Sequence, residues 1–239
     1  MKRALPAIAL IAALSLSACS GSGSKSDQSQ EGGDDSASQA AAEQTSQAKK
    51  LDKDQVKKII ESTDADGQKF KTIDTAAASG SEALKALESS EFEPAKCKDM
   101  SMSALNASQA SNGTTATGVS SDKTLTVALI SLANEADATK QLKNSSMITE
   151  ECSNVTVKSQ GIEMKMSYKP FDATVDGADE TVGISAKIDA GGQTVLSTDT
   201  VTSRVGNNIV TAANVADTSD KEVVPKTAEA FVEAVKNAG

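Results

Sequence analysis

The chain has 239 residues, a formal net charge of −9, no histidine, no tryptophan and a single tyrosine. Without histidine it lacks the commonest general base at neutral pH and cannot form the Ser-His-Asp or Cys-His catalytic arrangements. The negative charge disfavours nucleic acid as a partner, and the scarcity of aromatic rings disfavours sites that bind ligands by stacking.

The first 18 residues have the layout of a bacterial lipoprotein signal peptide. Lys2 and Arg3 precede a short apolar run that ends in small residues directly before Cys19. The arrangement resembles a lipobox, whose cysteine thiol receives a diacylglycerol. A membrane-spanning helix needs about 20 apolar residues and this run has about 15. A transmembrane anchor and an ordinary cleaved signal peptide are the alternatives. We predict a lipid-anchored protein on the extracytoplasmic face of the cell membrane, held by acylated (palmitate-bearing) Cys19.

Two segments of different composition follow the signal peptide. Residues 19–50 are dominated by Ser, Gly, Gln, Asp, Glu and Ala. Such a sequence cannot bury enough apolar surface to fold alone, so a disordered tether is predicted. Residues 51–239 are numerous enough to bury a core and are predicted to form a single extracytoplasmic domain.

The first part of the domain carries helical signals. Apolar residues between 51 and 60 recur at helical spacing, with Asp52 near the start of the predicted helix. Phe70 and Ile73 indicate a short strand or a turn. Residues 81–89 predict a second helix.

The remainder of the domain is mostly β. Strands are predicted over 125–130, 155–158, 162–168, 182–188, 195–205 and 208–215, and helices over 134–143 and from Pro225. Asn134 is a candidate N-cap. Tight turns join several consecutive strands, which must therefore be antiparallel. The predicted fold class is α+β: an antiparallel sheet with packed helices, one disulfide and a disordered N-terminal tether.

Cys97 and Cys152 are the cysteines that remain once Cys19 is lipidated. In an oxidising compartment we expect them to bond to each other, and two buried free thiols are the alternative. We expect no metal site and no cofactor, because two distant cysteines without histidine cannot complete a tetrahedral set.

Two features of the last third are candidate binding elements. Arg204 is the only arginine outside the signal peptide. A guanidinium on a sheet can clamp a ligand carboxylate or phosphate, and the alternative is an ion pair with a neighbouring acidic residue. Met164, Met166 and Tyr168 share one strand face, where they either line an apolar cavity or pack in the core.

Together these features resemble a known group of proteins. A lipobox, a polar tether and an α+β domain of this size are typical of actinobacterial envelope lipoproteins. Within that group the domain resembles the PknH-like extracellular sensor domain family. The matching features are the segment around Cys97, the strand 125–130, the helix 134–143, Cys152, the run 201–210 and the closing amphipathic helix. Members commonly have two disulfides, whereas this chain can form one, and they often have a tryptophan where a glutamate precedes the second cysteine here.

The resemblance implies an antiparallel sheet, a cleft and a ligand-sensing role. We therefore expect a non-enzymatic membrane lipoprotein whose partners are the membrane, through its lipid, and a small ligand or envelope component. The alternative is an accessory scaffold for an envelope complex or receptor kinase, which would expose an apolar patch on the domain.

Overall fold

A ten-stranded antiparallel sheet is the central element of the fold. The computed structural model describes residues 49–73, 88–100, 113–159, 161–215 and 222–238. The predictions for the signal peptide, for nearly all of the tether and for most of the helix 81–89 concern residues outside these ranges. Within them, the predicted α+β class is confirmed.

The sheet brings together strands from the whole domain. Its strands are β1 (Asp64–Ala65), β2 (Gln68–Ile73), β3 (Glu91–Glu93), β4 (Thr114–Ser120), β5 (Leu125–Ser131), β6 (Asn154–Ser159), β7 (Ile162–Phe171), β8 (Glu180–Ala190), β9 (Gln193–Val205) and β10 (Asn208–Asn214). Their order across the sheet is β1-β2-β4-β5-β10-β9-β8-β7-β6-β3. Every pair of neighbours is antiparallel. The run from β6 to β10 is therefore a meander, in which each strand pairs with the next in the chain.

In the described part of the chain three helices of ten or more residues pack on this sheet: α1 (Lys53–Ser62), α2 (Glu135–Glu151) and α3 (Val223–Lys236). Asp52 caps α1 through a capping box, because its side chain accepts from the backbone N–H of Gln55 while the Gln55 side chain accepts from that of Asp52, both at 2.9 Å. Asn134 caps α2 by accepting from the backbone N–H of Asp137. Asn134 holds the N-cap position predicted from the sequence, and Asp52, predicted near the start of the first helix, is its N-cap.

Helices α1 and α3 cover one face of the sheet. Residues alternate between faces along a strand, and Val210 of β10 points to this side together with Val56 and Ile60 of α1. Phe231 of α3 meets Phe70 of β2 edge to face, with ring centroids 5.1 Å apart. The helical periodicity of the sequence therefore places Val56, Ile60 and Phe231 correctly in the main core.

Helix α2 covers part of the opposite face. Its Leu142 packs with Ile209 of β10, one residue away from Val210 and so on the other side of the sheet. A second apolar cluster on this face surrounds the Cys97–Cys152 disulfide, which confirms the expected pairing of cysteines 55 residues apart in sequence. Cys152 is also the C-cap of α2.

Three strands and the length of α2 were not predicted. The strand β4 has the sequence TTATGVS, in which polar residues and an internal glycine hide the pattern of a buried strand. Gly118 is needed there because a Cβ atom would lie 2.4 Å from Cγ2 of Ile60 in α1. Helix α2 extends eight residues past the predicted end at 143, and this part begins with Asn144, Ser145 and Ser146, which have low helix propensity. Ser145 is fully buried there. Among the described helices none is long and apolar enough to span a bilayer.

Candidate functional site

Arg204 lies near the end of β9 and is only 7% exposed. Its Nη1 donates to Oε1 of Glu135 at 2.8 Å and to Oδ2 of Asp179 at 3.1 Å. The same nitrogen donates to the carbonyl of Gly206 at 3.3 Å. Its Nε is 3.6 Å from Oε2 of Glu180, which is too far for a hydrogen bond but close enough for an ion pair. One guanidinium therefore meets three carboxylates.

The fold brings these carboxylates in from separate places. Glu180 is the cross-strand partner of Arg204 in the β8–β9 ladder. Asp179 immediately precedes β8, donates its backbone N–H to the carbonyl of Arg204 and accepts from the N–H of Gly206. Glu135 is the first residue of α2. The network therefore fastens the start of α2 and the start of β8 to the turn between β9 and β10.

This arrangement defines what Arg204 can do chemically. Of the two roles predicted for Arg204, ligand clamp or ion pair, the structure shows the ion pair. The guanidinium is buried, and its carboxylate partners are 43–54% exposed. An anionic ligand at Nη1 would have to displace a carboxylate that already contacts this nitrogen. Binding of a ligand by Arg204 stays a prediction.

A strip of buried polar side chains lies between the two apolar clusters on the α2 face. From the sheet it contains Thr198, Thr200, Thr202 and Thr211, and from α2 it contains Gln141 and Ser145. The hydroxyls of Thr202 and Thr211 are 3.3 Å apart, and that of Thr198 donates to the Asn214 carbonyl. The Gln141 side chain, whose amide can donate and accept hydrogen bonds, is only 6% exposed. The strip is uncharged and offers both donors and acceptors.

The side chains of Met164, Met166 and Tyr168 pack in the cluster around the disulfide, as the core-packing alternative predicted. The Tyr168 hydroxyl donates to Sδ of Met166 at 3.5 Å. Burial raises the pKa of Tyr168 to about 12, because the phenolate is poorly solvated there. The tyrosine ring and the two thioethers thus form one surface on β7 that is partly shielded from water.

Other features of the described part of the chain are less developed as sites. An open groove of about 350 Å³ lies beside the C-terminal end of α3 and is lined by Asp176, Gly177, Glu229, Glu233, Lys236 and Asn237. No group of three His, Cys, Asp or Glu side chains placed to hold a metal ion occurs in the described ranges. Cys19 lies outside the described ranges, so these observations do not test its predicted lipidation.

Sequence reasoning found Arg204 but missed its partners and the polar strip. Only Glu180 could have been inferred, by aligning the two predicted strands across their hairpin. Glu135 is 69 residues from Arg204 and its proximity depends on how α2 crosses the sheet. The strip was missed because threonines in a strand are equally compatible with an exposed face.

Comparisons with known proteins give weak structural similarity. No protein-family model matches the chain, and no curated protein matches it in sequence. The extracellular domain of PknH from Mycobacterium tuberculosis is similar with a TM-score of 0.43 and 13% identity, covering 66% of this chain and 92% of that one. An uncharacterized protein from Mycobacterium smegmatis, the Rv0999 ortholog, is similar with a TM-score of 0.38 and 19% identity, covering 71% of this chain and 86% of that one.

Replacing Arg204 with methionine should destabilise the domain. The variant leaves three carboxylates facing an apolar side chain, and we expect a loss of about 2–3 kcal/mol in the free energy of unfolding. The loss should stay below that of a fully buried pair because the carboxylates can rehydrate. Urea unfolding measures it, and Glu163→Gln, which breaks an exposed pair with Lys165, is the control, with a change under about 0.5 kcal/mol. Equal stability of Arg204→Met and the unmodified protein would contradict a fastening role.

The raised pKa of Tyr168 should make stability fall at alkaline pH. Below its ordinary pKa of 10.0 the tyrosine is neutral in both states, and its contribution is fully present. Between that value and about 12 the unfolded chain ionises first, so the free energy of unfolding declines as pH rises, by at most about 1.4 kcal/mol per pH unit. Tyr168→Phe should lack this part of the decline. Because Tyr168 is the only tyrosine, tyrosinate absorbance reports its titration directly, and ionisation at the ordinary pKa would refute the assignment.

Proposed function

We propose that the chain is a lipid-anchored extracytoplasmic protein, held to the cell membrane through Cys19, whose domain binds a small ligand or envelope component without catalysing a reaction. The Cys97–Cys152 disulfide is the observation that carries the location. Disulfides persist in oxidising compartments and are rare in the cytosol. A disulfide in the domain and a lipobox before it therefore favour the same side of the membrane.

The polar strip under α2 supports a binding role. Gln141 is buried in this strip, and its side-chain amide can both donate and accept hydrogen bonds. The neighbouring threonine hydroxyls can donate or accept. These groups favour a small uncharged ligand with amide or hydroxyl groups, whereas an anionic ligand would instead have to compete for Arg204.

The accessory-scaffold alternative has less support from the domain surface. It requires a contiguous exposed apolar patch. In the described ranges the large exposed apolar side chains are Ile73, Ile162 and Val195, at 40–55% exposure. They belong to β2, β7 and β9, and three strands lie between β2 and β9, the nearer of the other two in the order of the sheet. Such dispersed residues fit an ordinary surface better than a docking patch.

The anchor is tested at Cys19. Replacing it with serine removes the thiol that would be acylated, so the protein should move from the membrane fraction to the soluble fraction. Mass spectrometry of the native N-terminus should find cleavage before Cys19 and acyl mass on that residue. Ser20→Ala, which alters the neighbouring residue and leaves the thiol, is the control and should stay with the membrane. An uncleaved or unmodified N-terminus would refute the anchor.

The ligand is tested by thermal unfolding of the full chain with neutral sugars, short peptides and inorganic phosphate. A compound that binds the native state raises the unfolding temperature with concentration, equivalent to about 2.7 kcal/mol at one hundred times its dissociation constant. Gln141→Leu should abolish the response to a ligand held by the strip, and Arg204→Lys the response to an anion. Glu163→Gln should change neither. A lack of response to every compound, combined with crosslinking of the domain to a protein partner in intact cells, would favour the scaffold.

A further inference from the structure

Sulfur atoms are concentrated at one place in the domain. Six residues of the described ranges contain sulfur, and all except Met147 belong to the cluster around the disulfide. Those five residues are Cys97, Met100, Cys152, Met164 and Met166. Three thioethers therefore lie together beside a disulfide, although they come from two separate parts of the chain.

The geometry lets the three thioethers approach a common point. Met164 and Met166 project from the same face of β7, about 7 Å apart along the strand at the usual rise per residue. Met100 belongs to the helical segment 96–100, and its Sδ is 3.4 Å from Sγ of Cys152. Cys152 and Met166 pack in the same cluster. Methionine has three rotatable side-chain bonds, so small rotations can bring these sulfurs closer together.

The chemistry of this cluster selects soft cations. Because the disulfide occupies both cysteines, the available donors are neutral thioethers, which bind Cu(I) and similar ions and attract hard cations such as Mg²⁺ poorly. Met166 is buried, whereas Met100 and Met164 are half-exposed and give access from solvent. We propose that Met100, Met164 and Met166 form a binding site for a soft monovalent cation, Cu(I) or its redox-inert analogue Ag(I). The expectation that the chain has no metal site rested on cysteine, histidine and carboxylate ligands and did not include thioethers.

Tyr168 provides a reporter for this site. It is the only tyrosine in a chain without tryptophan, so the tyrosine fluorescence comes from this ring alone. Its hydroxyl donates to Sδ of Met166. A cation bound to that sulfur would take the lone pair that accepts this hydrogen bond and place a heavy ion next to the ring. Binding of Ag(I) should therefore quench the fluorescence of Tyr168.

The experiment is a titration of the full chain with silver nitrate. The chain carries Cys19→Ser so that no free thiol competes for Ag(I), and the disulfide is first verified as intact. We expect saturable quenching with one Ag(I) bound per chain, counted by elemental analysis. Met164→Leu and Met166→Leu should each weaken binding by about tenfold or more. Met147→Leu, which removes the one described sulfur outside the cluster, is the matched control and should bind as the parent does.

Three results would overturn the proposal. The first is quenching that does not saturate, or none at all. The second is an equal loss of affinity in Met147→Leu and Met164→Leu, which would mean that Ag(I) binds thioethers indiscriminately. The third is the same response to Mg²⁺, which a thioether site cannot give. Methionine and leucine are similar in volume, so these variants should fold, and the half-exposed Met164 decides the question even if Met166→Leu is destabilised.

Discussion

Helix α2 is held to the sheet at both of its ends by contacts between residues distant in sequence. At its first residue Glu135 pairs with Arg204, and at its C-cap Cys152 is bonded to Cys97. Between these points the helix packs on a strip that is partly polar. Apolar burial supplies less of the attachment here than under α1 and α3, where the sheet presents a continuous apolar face. The position of α2, and with it every candidate site on this face, therefore depends on an ion pair and a covalent bond.

Local signals were sufficient to predict much of the fold. Helical spacing and a capping residue located α1, and alternation located β5 and β8, because each of these elements buries one regular face. The glycine-bearing and polar β4 and the three-residue β3 have no such face in their own sequence. They are strands because the neighbouring strands supply their hydrogen bonds, which a reading of single segments cannot anticipate.

The candidate sites show the same division. Arg204 attracted notice as a solitary arginine, and Met164 and Met166 as alternating residues on one strand. The partners that decide their chemistry were out of reach, because Glu135 and Met100 approach them only through the way α2 and the segment 96–100 cross the sheet. Residue types therefore identified only part of each site. The tertiary arrangement determined that carboxylates already pair with Arg204 and that Met100 lies in the same cluster as Met164 and Met166.

The borders of the sheet have a consequence for contacts between copies of the domain. The outermost strands are the shortest, with two residues in β1 and three in β3, and Glu91 and Glu93 flank the centre of the latter. A short edge strand with negatively charged side chains pairs poorly with the backbone of a second copy. The borders of this sheet therefore disfavour edge-to-edge polymerisation of the domain.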